Sequence, residues 1–270
     1  MTRPRTELRN PRAGSLSSLT TRDLLALMND EDAGVPAAVR RALPAIERAV
    51  DLCVIALRAG GSLLYAGAGT SGRLGVLDAS EMPPTFGVDP RLVRGLIAGG
   101  DAALRTAVEG AEDDAGAGER DLRREATTKN DVVVGISASG RARYVVAALA
   151  AARATGARTI ALTCVDRTAL TEGADVAIIV DVGPEVLAGS SRLKAGTATK
   201  LVLNMISTAT MVGLGRTKDD LMIDMRATNA KLRERAIAMV STEAGVDAPE
   251  ATRRLEAAGW SVREALDRQR

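Results

Sequence analysis

Five short apolar runs, separated mostly by longer helical stretches, constrain the fold of this 270-residue chain more than any other feature. Each run has the length of a strand that is buried on both faces of a sheet. The alternation predicts an α/β fold with three layers, in which helices cover a five-stranded parallel sheet. The predicted strands are Ser62–Ala66, Leu92–Ala98, Asp131–Ile136, Arg158–Thr163 and Val176–Val180, and the stretches between them include Ala102–Gly110, Arg120–Thr127 and Arg141–Thr155.

Further helices are predicted on either side of the sheet. Val35–Ala59 has apolar residues at helical spacing and ends at a pair of glycines. Beyond Thr228 the chain is polar, and Ala248–Ala258 and Ser261–Arg268 have the pattern of two short helices. We therefore predict an N-terminal helical segment (1–45), a central domain (46–230) and a small C-terminal helical appendage (231–270).

A glycine-rich turn follows the first predicted strand, and its composition suits an anion. Thr70 and Ser71 supply hydroxyl donors, Gly72 permits close approach of the backbone, and a helix is predicted to begin there. A tight connection between strand and helix would have the same composition, so phosphate binding is one of two readings of this turn alone. The turn lacks the patterns that bind dinucleotides or nucleoside triphosphates.

A second turn strengthens the prediction of an anion site, and a third turn is a further candidate. Ser137, Ser139 and Gly140 follow the third predicted strand, and the carboxyl ends of parallel strands meet at one edge of a sheet. In the turn Gly189–Lys194, Ser190 and Ser191 are candidates for a helix cap or a phosphate donor, and Lys194 for an anion contact. A capped helix with solvated cations is the alternative for this third turn.

Composition excludes several classes of function. The formal net charge is +2 and aromatic residues make up 1% of the chain, so we expect no binding to nucleic acid. No uninterrupted apolar segment has the length of a membrane span, and no apolar signal core is found near the first residue, so a cytoplasmic protein is expected. Cys53 and Cys164 lie in apolar segments and are expected to be buried thiols.

The chain contains no histidine, so any proton transfer must use another side chain. Glu81 follows the first turn closely, and we expect Pro83 and Pro84 to stop the helix beside it. Glu109 and Glu112 follow the second strand and could reach the same edge of the sheet. A surface role is the alternative for Glu81, and the residues alone do not choose a catalytic pair among the 34 acidic side chains.

The run Gly67–Gly87 closely resembles the N-acetylmuramic acid 6-phosphate etherase family of the sugar isomerase (SIS) superfamily. The likeness extends from about residue 6 to residue 235, whereas the helical C-terminus is shorter than is usual in that family. Further segments that match are Thr6–Asn10, Asn29–Asp32, Gly95–Gly100, Ala107–Asp113, Gly189–Thr197 and Lys200–Met205.

The resemblance implies a SIS fold and cleavage of the D-lactyl ether of N-acetylmuramic acid 6-phosphate, which yields N-acetylglucosamine 6-phosphate and D-lactate. It implies a cytoplasmic homodimer that uses no metal or other cofactor, with an amino-sugar 6-phosphate as its small-molecule ligand. The acid/base glutamates of the family fall on Glu81 and Glu112, which we expect to flank the bond that breaks. A sugar-phosphate-sensing regulatory protein and an aldose–ketose isomerase on the same fold remain alternatives.

Overall fold

The computed structural model describes residues 5–225, 227 and 229–267, and five parallel strands form its centre. The strands lie in the order β2-β1-β3-β4-β5, and every neighbouring pair is parallel. Each predicted strand is confirmed to within a residue or so at its ends. The strands are β1 (Leu63–Gly67), β2 (Val93–Ile97), β3 (Val132–Ile136), β4 (Arg158–Thr163) and β5 (Val176–Ile179).

Helices cover both faces of the sheet, and the three-layer α/β prediction is confirmed. The ten helices among the described residues are α1 (Thr21–Asp32), α2 (Val35–Arg58), α3 (Gly69–Phe86), α4 (Ala102–Arg105), α5 (Ala115–Arg124), α6 (Arg143–Ala154), α7 (Lys194–Gly213), α8 (Ala230–Ala244), α9 (Ala248–Ala257) and α10 (Val262–Asp267). The predicted boundary at residue 45 falls inside α2, and Arg268 lies outside the described residues.

Successive side chains of the central strands point to opposite faces of the sheet, so the protein has a hydrophobic core on each face. Leu63 and Tyr65 of β1 pack with α2, α3 and α7 on one face of the sheet, whereas Leu64 and Ala66 pack with α5 and α6 on the other. All four side chains are fully buried. A third apolar cluster holds α8, α9 and α10 to one another, apart from these two cores.

A buried polar network ties α3 to α7. Asp78 is 4% exposed and accepts hydrogen bonds from Tyr65 Oη at 2.8 Å, Asn204 Nδ2 at 2.7 Å and Ser207 Oγ at 3.1 Å. A buried carboxylate is tolerated when donors surround it in this way. The network therefore sets the position of α3 relative to α7.

Helix α3 continues past the two prolines, so the predicted stop at Pro83 and Pro84 is wrong. Met82 and Phe86 are buried in the core on the face of the sheet where α3 packs against α7, and this packing outweighs the two backbone hydrogen bonds that the prolines remove. The helix ends at Gly87, whose φ of 65° few other residues adopt readily and whose amide donates to Pro83 O.

Cys53 and Cys164 are both buried and neither is in a disulfide, as predicted. Burial raises the pKa of each thiol to about 12, so both remain protonated at neutral pH. Among the described residues, no helix has the length and the apolar character that crossing a membrane requires.

Asp131, at the end of the sheet opposite the candidate site, should make stability depend on pH. Burial raises the pKa of its carboxyl, but hydrogen bonds from the amides and hydroxyls of Ser62 and Thr128 more than offset this and hold the pKa below its usual value. A lowered folded-state pKa gives stability that is present above about pH 4 and is lost as the pH falls through the folded-state pKa.

We expect Asp131→Asn to lower the free energy of unfolding by about 2 kcal/mol at pH 7. Chemical denaturation of both proteins between pH 7 and pH 3 measures this, and the difference should shrink at the acid end. A difference that stays constant over this range would contradict the assigned role of the ionised carboxylate.

Candidate functional site

The turn between β1 and α3 brings a strand end against the first turn of a helix. A Cβ on Gly67 would lie 2.5 Å from Gly72 N, so both glycines are required by the close approach of the backbone. Helix α3 begins at Gly69, close to where the sequence predicted it. Ser71 is half-buried in this turn, and its hydroxyl forms no hydrogen bond with another described group.

The turn after β3 is built in a similar way. Gly140 has a φ of 66° and its amide donates to Ser137 O at 2.9 Å. A Cβ on Gly140 would lie 2.3 Å from Thr168 Oγ1, so glycine is needed there for space as well as for conformation. Ser139 Oγ accepts from Arg141 N at 3.3 Å, which leaves the hydroxyl proton of Ser139 available to a ligand.

The third turn differs from its prediction. Helix α7 begins at Lys194, and Glu185 caps it by accepting from Lys194 N at 3.0 Å and Ala195 N at 2.9 Å. The prediction of Ser190 or Ser191 as the cap is therefore wrong, because a carboxylate from the preceding loop fills that place. Glu185 is fully buried, and burial raises the pKa of its carboxyl although these amides and Lys194 act in the opposite direction.

Lys194 is occupied within the protein. Its side chain is 6% exposed, and Nζ lies 2.5 Å from Glu31 Oε2. Glu31 also accepts from Asn10 Nδ2 at 2.7 Å and pairs with Arg12 at 3.0 Å. Burial raises the pKa of the Glu31 carboxyl, but hydrogen bonds from Lys194 and Asn10 more than offset this effect and hold the pKa below its usual value.

One cavity of about 190 Å³ joins the three turns, and we call it the serine cavity. It lies at the carboxyl ends of β1 and β3, the edge of a parallel sheet where ligands bind. Thr70, Gly72, Gly140, Ser190 and Lys194 lie in the same turns or at their ends but do not line it. The residues that line it are Thr6, Glu7, Ala68, Ser71, Glu112, Ile136, Ser137, Ala138, Ser139, Ala142, Gly189 and Ser191.

Electrostatics at the serine cavity favour an anion. Ala68 and Ala142, which line it, are the N-terminal caps of α3 and α6, so two helices of 18 and 12 residues begin at its wall. Neither cap uses a side chain, so the first amides of both helices remain available. The partial positive charge of these ends, together with hydroxyl donors, suits a phosphate group.

Glu112 is the predicted acid/base residue that reaches the serine cavity. It belongs to a short 3₁₀-helix, Ala111–Asp113, and its side chain is exposed to solvent. An adjoining cavity of about 160 Å³ shares Ala68 and Glu112 with the first and is also lined by Glu109. Glu112 therefore lies where the two cavities meet.

Glu81 does not line either cavity. It lies on α3 ten residues beyond Ser71, which is about 15 Å along the helix axis, and it is exposed. Leu77, one turn earlier on α3, is 51% exposed. Within a single subunit, the serines of the serine cavity and Glu112 lie together, whereas Glu81 lies on the outer surface of the helix layer.

Sequence reasoning assigned no role to several residues of this region. Thr6 and Glu7 line the serine cavity, and Asn10 and Glu31 hold the segment that carries them. The motifs Thr6–Asn10 and Asn29–Asp32 were the available signal, since both belong to the resemblance. Among the described residues, no group of three or more Cys, Asp and Glu side chains is arranged to hold a metal ion.

Comparison with known proteins places this fold in a class. A family profile described as the glucokinase regulatory protein N-terminal SIS domain matches residues 45–153, and one described as the SIS domain matches residues 115–209. A solved phosphoheptose isomerase from Neisseria gonorrhoeae has the same fold, with a TM-score of 0.54 and 22% identity over 70% of this chain and 98% of that one. The sheet and its covering helices are thus those of a SIS-domain protein.

Closer relatives define the family. The chain is 52% identical over 261 residues to the N-acetylmuramic acid 6-phosphate etherase of Geobacillus thermodenitrificans, covering 97% of this chain and 88% of that protein. It is 55% identical to the enzyme of the same name from Gloeobacter violaceus, covering 97% and 85%. The chain belongs to the N-acetylmuramic acid 6-phosphate etherase family.

Proposed function

We propose that this protein is a lyase that cleaves the D-lactyl ether of N-acetylmuramic acid 6-phosphate, yielding N-acetylglucosamine 6-phosphate and D-lactate. The observation that carries the proposal is the serine cavity, which joins Ser71, Ser137, Ser139 and Glu112 in a chain of this family. Hydroxyls and helix ends there match a phosphate, and the carboxylate matches proton transfer.

The chemistry needs two positioned acid/base groups. In the open-chain sugar, a base removes the proton from the carbon that bears the acetamido group, next to the aldehyde. The electron pair forms the carbon–carbon double bond and the ether oxygen leaves with the lactate, receiving a proton from an acid. Water then adds across the double bond, and its oxygen becomes the new hydroxyl. The steps move protons and water, so no redox cofactor is required.

We assign the base role to Glu112 and the acid role to Glu81. Glu112 lies beside the hydroxyls that would hold the phosphate, so it can reach a sugar whose far end is fixed there. Ser71, Ser137 and Ser139 supply the hydroxyls of the proposed phosphate cradle, and Thr70, Gly72 and Gly140 belong to the turns that carry them. Ser191 lines the cavity from the third turn with Ser190 beside it, whereas Lys194 is paired with Glu31 and is not assigned to the phosphate. Binding energy from the phosphate then orients the reacting carbons.

The position of Glu81 supports a homodimer. Ile55, Leu77, Met205 and Val212 are large exposed apolar side chains on α2, α3 and α7, three helices that pack on one face of the sheet. Large apolar side chains exposed on packed helices of one layer are typical of a surface that another protein covers. We propose that a second copy covers it and that Glu81 serves the serine cavity of the partner subunit.

We place the protein in the cytoplasm. Two buried thiols that form no disulfide fit a reducing compartment, and a phosphorylated amino sugar is an intracellular type of ligand.

The function is tested by incubating the purified protein with N-acetylmuramic acid 6-phosphate and measuring D-lactate. We expect release in step with formation of N-acetylglucosamine 6-phosphate. Binding of the product without any lactate release would instead support the sensor, and conversion of an aldose phosphate to a ketose phosphate would support the isomerase.

Replacement of Ser139 by alanine tests the phosphate cradle. The variant loses a hydroxyl donor at the cavity but no group that moves a proton, so KM should rise about tenfold while kcat changes little. Steady-state kinetics of lactate release measures both constants. An unchanged KM in both Ser139→Ala and Ser71→Ala would refute the cradle.

A further inference from the structure

The N-terminal strap, which we define as residues Arg5–Asn10, adds a buried hydroxyl to the serine cavity. Thr6 lines the cavity and is 3% exposed, and its Oγ1 has no hydrogen-bond partner among the described residues. Buried hydroxyl groups are nearly always hydrogen-bonded in folded proteins. A ligand in the cavity would supply the missing partner.

The strap also adds a carboxylate. Glu7 lines the same cavity, is exposed to solvent, and makes no hydrogen bond or ion pair with another described side chain. A Cβ on Gly189 would lie 3.2 Å from Glu7 Oε2, so this carboxylate rests close to the backbone of the third turn. Glu7 and Glu112 are thus two carboxylates on the wall of one cavity.

Bonds elsewhere hold the strap in place without a ligand. Arg5 pairs with Asp181 at 2.5 Å, and Asn10 Nδ2 donates to Glu31 and, at 3.1 Å, to Pro184 O. These contacts lie on both sides of Thr6 and Glu7 in the sequence. The two side chains are therefore presented to the cavity by a fixed backbone, which is the arrangement expected of binding groups.

Charge decides which part of a ligand each group can meet. A carboxylate repels a phosphate dianion, so Glu7 suits the donor-bearing part of the ligand, and the hydroxyls and helix ends suit its phosphate. An amino-sugar phosphate carries O–H groups and an acetamido N–H, which are the donors that a carboxylate accepts.

We propose that the strap forms part of the ligand site, with Glu7 as a specificity-determining residue that accepts hydrogen bonds from the O–H or N–H groups of the amino sugar. Thr6 supplies a hydroxyl to the same ligand. This inference rests on the proposed function and adds a binding role outside the two acid/base glutamates.

The test compares two ligands by titration followed by ³¹P NMR, with N-acetylglucosamine 6-phosphate and inorganic phosphate as probes. For Glu7→Gln we expect the dissociation constant of the sugar phosphate to rise about tenfold and that of inorganic phosphate to change less than about twofold. Thr6→Val should weaken sugar phosphate binding by a similar factor, and Thr6→Ser should restore it. Glu172→Gln, an exposed carboxylate outside both cavities, is the matched control and should bind both ligands as the parent protein does.

Three results would overturn the inference. The first is a dissociation constant for the sugar phosphate within about twofold of the parent value in Glu7→Gln or in Thr6→Val. The second is an equal loss of affinity for both probes in Glu7→Gln, and the third is a thermal unfolding midpoint lowered enough in either variant to account for its loss of affinity. The assay of D-lactate release by the parent protein separates this inference from the proposed function. If the parent protein releases D-lactate but Glu7→Gln binds the sugar phosphate as the parent does, the role of Glu7 is refuted and the lyase function stands. If Glu7→Gln selectively weakens sugar phosphate binding but the parent protein releases no D-lactate, the lyase function is refuted and the role of Glu7 stands.

Discussion

Replacing Glu112 with glutamine should lower kcat for D-lactate release about a hundredfold or more, with little change in KM. Glutamine has nearly the same shape as glutamate but cannot accept the proton from carbon. Because Glu112 is exposed at the wall of the serine cavity and bonds no other described side chain, its loss should not disturb the fold.

Two control variants sharpen this result. Glu109→Gln removes the other carboxylate of the adjoining cavity, and Glu172→Gln removes a distant one. Both should keep most of the parent kcat, and both should unfold at the same temperature as Glu112→Gln. A larger effect in Glu109→Gln than in Glu112→Gln would mean that the base is Glu109.

Mixing two inactive variants should restore activity if the site is shared between subunits. Glu81→Gln and Glu112→Gln are each expected to lose about a hundredfold in kcat. In a dimer formed from one of each, one of the two sites would keep both glutamates. After unfolding and refolding together in equal amounts, half of the dimers would be mixed, so about a quarter of the parent activity should return.

The geometry that motivates this experiment is the position of Glu81 on α3, about 15 Å along the helix axis from Ser71. Each variant refolded alone is the control, and size-exclusion chromatography shows whether the protein is a dimer. Activity no higher than the average of the two variants would contradict a site completed by the partner. Full activity of Glu81→Gln alone would remove Glu81 from the mechanism.

Much of the fold could be predicted from the sequence because the strands are buried on both faces. Runs such as Val132–Ile136 and Arg158–Thr163 need apolar or small side chains at nearly every position, which separates them clearly from the helices around them. The end of α3 could not be predicted in this way. Local sequence rules predict that the helix ends at Pro83, but burial of Met82 and Phe86 in a core shared with distant parts of the chain keeps α3 helical to Phe86.

The candidate site was predictable only in its local parts. Ser71, Ser137 and Ser139 lie in strand-to-helix turns, so sheet topology alone brings them to one edge. Thr6 and Glu7 reach that edge through contacts such as Asn10 with Pro184, residues 174 positions apart, which no local pattern reports. The separation of Glu81 from the cavity follows from the ten residues of regular helix between Ser71 and Glu81, all of which precede the two prolines.

The cap on α7 has a consequence for where an anionic ligand binds. Of the three helices that begin around the serine turns, α7 already holds an anion that the chain carries itself, the carboxylate of Glu185. A phosphorylated sugar would therefore meet the free first amides of α3 and α6, whose capping residues line the same cavity. Because Glu185 already occupies the start of α7, an anionic group is favoured at the wall formed by the starts of α3 and α6, and the rest of the ligand would extend away from that wall.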